Sequence, residues 1–303
     1  MNTIERFLEY IAIERKYSNR TVEAYRDDLR NFCRFLDIEP EEFNPKDVDD
    51  FDIKEWMIHL LDEGKSPRSI KRYLSSLRSF YKFMLRVGIV SKDITRKVIA
   101  PKVDKPLPVF FKESEMQRAT AYEAEADDFE SIRDCLIIEM LYQTGARQAE
   151  LLGLTDSDID LVQGQVRIFG KRKKERIVPI GEKLVAQIKD YLEARNNEQQ
   201  PANGQQPLFI RIKRNGDVEP LNKSTLYNIV RARMGEVSTL KKHSPHVLRH
   251  TFATTMLNNG ADIRTIQSLM GHASLAATQV YTHTTFEQVR KAYNEAHPRA
   301  KKI

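Results

Sequence analysis

Six side chains in the second part of the sequence have the types needed to attack, hold and release a phosphodiester: Arg147, Lys171, His246, Arg249, His272 and Tyr281. A phosphodiester under attack gains negative charge on its non-bridging oxygens. Guanidinium suits that charge because it stays ionised and donates to two oxygens at once, so two arginines make a cage. A tyrosine serves as nucleophile when its phenolate is stabilised. The phosphotyrosine it forms stores the energy of the phosphodiester, so a strand hydroxyl can reverse the step without metal or ATP.

Each position has a plainer reading beside that one. Arg147 sits in Thr144-Gly-Ala-Arg-Gln-Ala-Glu-Leu, where Gly145 is expected to end one helix just before the next begins, leaving N–H donors near the new N-terminus. The plainer reading pairs Arg147 with Glu150 as a surface ion pair. His246 and Arg249 stand one helical turn apart, with Pro245 suited to the first turn and Ser244 to the cap. His250, one turn after His246, completes half of a zinc-binding helix. The glutamate of such helices is missing and Arg249 would repel a cation, so no metal site is expected.

Tyr281 follows His272 by nine residues, and taken singly either one reads as readily as a core side chain. Lys171 opens the run Lys-Arg-Lys-Lys. A lysine of lowered pKa can protonate a departing 5′-oxygen, whereas on the plainer reading Lys171, Arg172 and Lys173 simply bind phosphates.

A chain of 303 residues exceeds one compact domain, so two domains are expected to position these groups. Hydrophobic residues at 41% and charged residues at 30% exclude wholesale disorder. The net charge of +6 favours a polyanionic partner, and its distribution says more. Residues 64–92 hold eight cations (Lys65, Arg68, Lys71, Arg72, Arg78, Lys82, Arg86 and Lys92) and no acid.

Residues 3–99 read as four or five helices, with apolar residues recurring at three and four, as in Ile4, Phe7, Leu8 and Ile11, and with helix starts at Ser18 and Ser66. After Pro67, Ile70, Leu74, Leu77, Tyr81 and Met84 fall on one helical face and Lys71, Arg78, Lys82 and Arg86 on another. One face packs; the other meets solvent or phosphate. Residues 101–108 hold three prolines, which favours an extended connector between domains. Helical segments follow through Leu152, then two short strands at 165–169 and 176–180 predict a β-hairpin with a basic tip. Residues 184–192 and 224–237 read as helices, 199–206 as a polar loop, and helices resume from His246.

Cys33 and Cys135 lie far apart in apolar segments and read as buried thiols, not as a disulfide or zinc ligands. No uncharged apolar run approaches ~18 residues and the N-terminal stretch carries acids. Neither a membrane span nor a signal peptide is expected, and the reading is a cytoplasmic protein.

In their order and spacing these segments resemble the tyrosine recombinase family, which includes phage integrases and the Xer recombinases, over almost the whole chain. Thr144-Gly-Ala-Arg-Gln-Ala-Glu-Leu is similar to the family's first-arginine box, Gly170-Lys171 to its hairpin lysine and His246-Val-Leu-Arg-His to its HxxR box. Leu269-Met-Gly-His is similar to its second-histidine box and Tyr281-Thr-His to its nucleophile box. The sequence departs from the pattern at Ala149, where the family usually carries a small hydroxyl residue.

The resemblance implies a mainly α fold with a small β-hairpin or sheet in an α+β catalytic domain, and an all-helical N-terminal domain with which it forms a two-domain clamp on DNA. Residues 1–100 would form the helical, SAM-like core-binding domain, 101–109 the proline-rich linker and 110–303 the catalytic domain. By the same resemblance Arg147 and Arg249 clamp the scissile phosphate, Lys171 is the general acid, and His246 and His272 assist proton transfer and phosphate binding. Tyr281 becomes the 3′-phosphotyrosyl link, and no cofactor is expected. The expected DNA-binding cations are Lys65, Arg68, Lys71, Arg72, Arg78, Lys82, Arg172 and Lys173.

The partners implied are double-stranded DNA with paired recombination half-sites, a homo- or hetero-tetramer, and an activating DNA translocase or accessory protein, with no membrane. A helix at Phe286–Ala296 would dock on a neighbouring subunit, against the alternative that it folds back on its own domain. The likeness is nearest to the Xer group, which implies chromosome-dimer resolution, with mobile-element integration open beside it. Relaxation of DNA in the manner of a type IB topoisomerase and a catalytically silent DNA-binding regulator stand as rival readings.

Overall fold

The computed structural model describes residues 2–103, 109–121, 128–170, 174–198, 206–271 and 286–300. The chain divides into two compact units, Met1–Pro106 and Leu107–Ile303. Part of the expected connector, residues 104–108, lies outside the described residues.

In the first unit four helices, α1 (Thr3–Ile13), α2 (Asn19–Phe35), α3 (Asp50–Asp62) and α4 (Pro67–Arg86), are followed by a 3₁₀ turn at Ile94–Lys97. Side chains close the helix starts by accepting from orphan backbone N–H groups: Asn2 from Glu5, Ser18 from Thr21, Asp49 from Phe51 and Asp52, and Ser66 from Ser69. Phe7, Phe32, Trp56 and Phe80 sit at the centre of an aromatic core. On α4 the expected inward set, Ile70, Leu74, Leu77, Tyr81 and Met84, is fully buried.

The basic side of that unit is less uniform than its sequence. Lys65, Arg68, Lys71 and Lys82 are exposed. Arg72 donates from Nη1 to both oxygens of Asp28, at 2.5 and 2.6 Å, and Asp28 is buried and also accepts from the Ser76 hydroxyl. Arg78 donates to the Val98 carbonyl at 2.7 Å. A buried carboxylate must be paired, so one expected DNA contact, Arg72, also neutralises a charge inside its own unit.

The second unit is built on α6 (Phe129–Thr144), which is buried along almost its whole length and so apolar on most faces. Around it lie α5 (Glu113–Ala119), α7 (Gln148–Leu152), α8 (Glu182–Glu198), α9 (Lys223–Val237), α10 (Pro245–Asn258), α11 (Ile263–Met270) and α12 (Phe286–Ala296). The strands β1 (Ile159–Asp160), β2 (Gln165–Phe169) and β3 (Glu175–Pro179) form an antiparallel sheet in that order. Val166, Ile168 and Val178 face the core. The β2–β3 register runs from Gln165 opposite Pro179 to Phe169 opposite Glu175, which is the expected hairpin. Its basic tip, residues 171–173, lies outside the described residues. The strands β4 (Ile210–Ile212) and β5 (Val218–Pro220) add a second hairpin that the sequence reading missed. The cysteines are buried free thiols, as expected.

The C-terminal helix folds back on its own unit, the second of the two alternatives that the sequence left open. Val289, Tyr293 and Ala296 enter the core around α6, and the Tyr293 hydroxyl donates to Gln143 Oε1 at 3.2 Å. The side chain of Phe286 lies outside the described set. His297, fully buried, stacks on Tyr293 with ring centroids 5.0 Å apart. A β-carbon at Gly181 would stand 2.3 Å from the Arg299 carbonyl oxygen, so the tail sits tight on the sheet's exit. Tyr293→Ala should therefore cost about 3–5 kcal/mol of unfolding free energy in the protein without DNA. Denaturant melting of the monomer checks this, and an unchanged midpoint would contradict packing in cis.

Candidate active site

The helix that carries Arg147 starts where α6 stops. Gly145 ends α6 in the left-handed region, at φ +57°, and a β-carbon there would come within 2.5 Å of the Phe252 ring on α10. Only glycine lets α6 end against α10. Arg147 then takes the N-cap position of α7. Its backbone N–H donates to Glu150 Oε2 at 2.9 Å and its Nη1 to Glu150 Oε1 at 2.6 Å.

Glu150 is 8% exposed, so the carboxylate of the pair is buried while Arg147 reaches the surface. Its Oε2 also accepts from Arg176 Nη2 at 2.7 Å, and Arg249 Nη1 stands 3.9 Å away. Burial alone would raise the Glu150 pKa. The bonds from Arg176 and Arg147 outweigh it and hold the carboxyl below the usual range, so it is ionised at neutral pH.

The guanidiniums spend their other donors on helix ends. Arg249, buried on α10, donates from Nη1 to the Gly145 carbonyl and from Nη2 to the Met270 carbonyl. Arg147 Nη2 donates to the Gly271 carbonyl at 3.2 Å, and Arg176 Nε to the Leu269 carbonyl at 2.6 Å. These oxygens close α6 and α11, where the helix dipole is negative and cations are favoured. Burial, and then the charge of Arg147, bring the Arg249 pKa down to about 10, with Glu150 acting the other way. Arg249 therefore stays charged at neutral pH in a crowded positive site.

Three guanidiniums face one carboxylate, so the site keeps an excess of positive charge. The Arg147 side chain is 42% exposed and that of Arg249 5%. An oxyanion that reaches Arg147 meets donors already oriented, which is the arrangement that stabilises charge developing on a phosphate. His246, at the start of α10 and one turn before Arg249, is exposed. His250 is half-buried, and burial, followed by the charge of His246, lowers its pKa. Among the described residues no His, Cys, Asp or Glu cluster is placed to hold a metal.

Arg147 and Arg249 are thus brought together. Lys171, Arg172, Lys173, His272 and Tyr281 lie outside the described residues. Their neighbours in the chain do reach this site. A β-carbon on Gly170, the residue before Lys171, would lie 3.5 Å from Glu150 Oε1, and Gly271, the residue before His272, gives its carbonyl to Arg147. The sequence alone did not single out Arg176, and it offered Glu150 only as the partner of Arg147 in the plainer reading of that segment. A signal for Arg176 exists: the alternation that turns Val178 inward turns Arg176 inward too, and a charged residue on an inward strand position requires a buried counter-charge.

Residues 110–288 match the phage integrase family, and residues 4–88 match the phage integrase N-terminal SAM-like domain. Tyrosine recombinase XerC of Chlorobaculum parvum is 37% identical over 328 aligned positions, covering 98% of this chain and 94% of that protein. Tyrosine recombinase XerD of Staphylococcus aureus is 36% identical over 300 positions, covering 98% and 99%. Among solved structures the fold is similar to a lambda integrase dimer bound to a core site, with TM-score 0.65, 20% identity and coverage of 90% and 94%. It is likewise similar to XerH recombinase bound to its difH substrate before cleavage, with TM-score 0.64, 22% identity and coverage of 96% and 83%.

If Glu150 is the counter-charge for this cluster, Glu150→Gln should destabilise the protein by about 3–5 kcal/mol, the range for removing one partner of a buried pair. Denaturant unfolding measures it. A loss below about 1 kcal/mol, the value of a surface pair, would mean that the arginines are held by the helix-end carbonyls alone.

Proposed function

The chain belongs to the phage integrase family of tyrosine recombinases, and on that premise we propose that it is a site-specific recombinase whose nucleophile is Tyr281. Arg147 and Arg249 hold the scissile phosphate. The Tyr281 phenol oxygen attacks phosphorus and gives its proton to His246 or His272. The bond from phosphorus to the 5′-oxygen breaks, and Lys171 protonates that oxygen as it leaves. The products are a 3′-phosphotyrosyl link and a free 5′-hydroxyl. Attack by the 5′-hydroxyl of another strand reverses the step, and because the phosphodiester energy is kept in the link, neither metal nor ATP is consumed.

The observation that carries this reading is the convergence of Arg147 and Arg249, distant in sequence, beside Glu150, with the chain neighbours of Lys171 and His272 at the same place. The substrate is double-stranded DNA with paired half-sites; of the similar structures, one is bound to a core site and the other to a difH substrate. Lys65, Arg68, Lys71 and Lys82 track its phosphates, together with Arg172 and Lys173, and Arg72 and Arg78 contribute the donors they do not spend internally. Four copies, or two pairs of related chains, assemble on two duplexes, with an accessory DNA translocase licensing the reaction. The setting is the cytoplasm and the task is resolution of chromosome dimers, in keeping with the likeness to XerC and XerD proteins.

The test is a duplex library from the source chromosome, nicked near the cleavage point and incubated with the protein in chelator without ATP. A denaturation-resistant protein–DNA adduct is expected, concentrated on one site and absent with Tyr281→Phe, which should still bind. Adducts spread evenly over all sequences would replace recombination with topoisomerase-like relaxation. Tight binding with no adduct on any site, even with the translocase added, would leave a DNA-binding regulator.

A further inference from the structure

We propose that Arg176 is the positioning residue that holds the phosphate-binding arginines in register with the end of the hairpin at Gly170 and the end of α11 at Gly271, an inference that rests on the recombinase reading above. Arg176 lies on β3 opposite Ile168, with 10% of its side chain exposed. From that one fork it bonds two elements. Nη2 donates to Glu150 Oε2 on α7 at 2.7 Å, and Nε donates to the Leu269 carbonyl near the end of α11 at 2.6 Å.

Two glycines close on it. A β-carbon at Gly271 would stand 3.1 Å from Arg176 Nη1, and one at Gly170 would stand 4.0 Å from the same atom. Gly271 ends α11 in the left-handed region, at φ +61°. Thus the hairpin, the helix of Arg147 and the end of α11 meet on a single guanidinium. Arg176 is too enclosed to take a phosphate as Arg147 does, and it acts through Glu150. Without it Glu150 keeps Arg147 and draws on Arg249, now 3.9 Å off, whose N–H groups hold the Gly145 and Met270 carbonyls. A displacement on the order of 1 Å at the phosphate cage costs about 100-fold in rate.

The experiment is single-turnover cleavage of the nicked duplex at saturating protein, read as a rate constant and an amplitude. Arg176→Met should bind DNA as the wild type does but form the Tyr281 adduct about 100-fold more slowly. Arg176→Lys should fall between, because one ammonium reaches Glu150 or the Leu269 carbonyl but does not fork to both. In a Glu150→Gln background Arg176→Met should lower the rate less than it does alone. A brace needed only for folding would lower the amplitude and leave the rate constant of the folded fraction at the wild-type value, and that result overturns the proposal. Should Arg176→Met not fold, the Arg176→Lys rate decides alone: slowed supports the proposal, wild-type overturns it. If the wild-type protein itself yields no Tyr281-dependent adduct, the recombinase reading has failed and this role falls with it. A wild-type adduct with undiminished Arg176 variants overturns the role of Arg176 only.

Discussion

One ionised carboxylate inside the second unit sets the terms for everything around it. Removing Glu150 from water costs several kcal/mol on general grounds, and only close guanidiniums offset that. Arg147 and Arg176 bond it directly and Arg249 stands at 3.9 Å. Burial first, and then the charge of Arg147, make Arg249 hold its proton less firmly than an ordinary arginine. The carbonyl ends of α6 and α11 absorb the remaining donors. The result is a rigid excess of positive charge, organised before any phosphate arrives, and preorganised charge of this kind needs no reorientation when the transition state forms.

Much of the local architecture serves that cluster. Gly145 must be a glycine so that α6 ends against Phe252 and hands the chain to Arg147. Gly271 must leave room for the Arg176 fork. The hairpin of β2 and β3 carries Arg176 inward and ends at Gly170 beside Glu150, and α10 lifts Arg249 from below while its N-terminus presents His246. The α12 helix closes the core behind these elements through Tyr293 and His297. The first unit follows a separate logic, in which an aromatic core holds one face of α4 and leaves lysines on the other.

Periodicity made the helices of both units and the inward face of α4 legible, and the alternation around Gly170 made the main hairpin legible. Other features depend on distant partners. Glu150 stands three residues from Arg147, a spacing that a surface pair and a buried hub share; only Arg176 and Arg249, from other elements, decide between them. Arg72 read as one more DNA-binding cation because its partner, Asp28, lies on another helix. The spacing of Val289 and Tyr293 showed that α12 has an apolar face without showing whose core it enters, and Gln143 settles that. The β4–β5 hairpin has strands too short to display a period, although Asn215-Gly216 between them is a turn signal, with Gly216 at φ +85°.

The central claim, that the Glu150 cluster is where the scissile phosphate sits, is most directly tested by a crystal structure of the Tyr281→Phe protein on its uncut DNA site. The account predicts one phosphate with its non-bridging oxygens bonded to Arg147 and Arg249, while Glu150 keeps its bonds to Arg147 and Arg176. A phosphate bound away from this cluster, with Arg249 still committed only to the Gly145 and Met270 carbonyls, would contradict it.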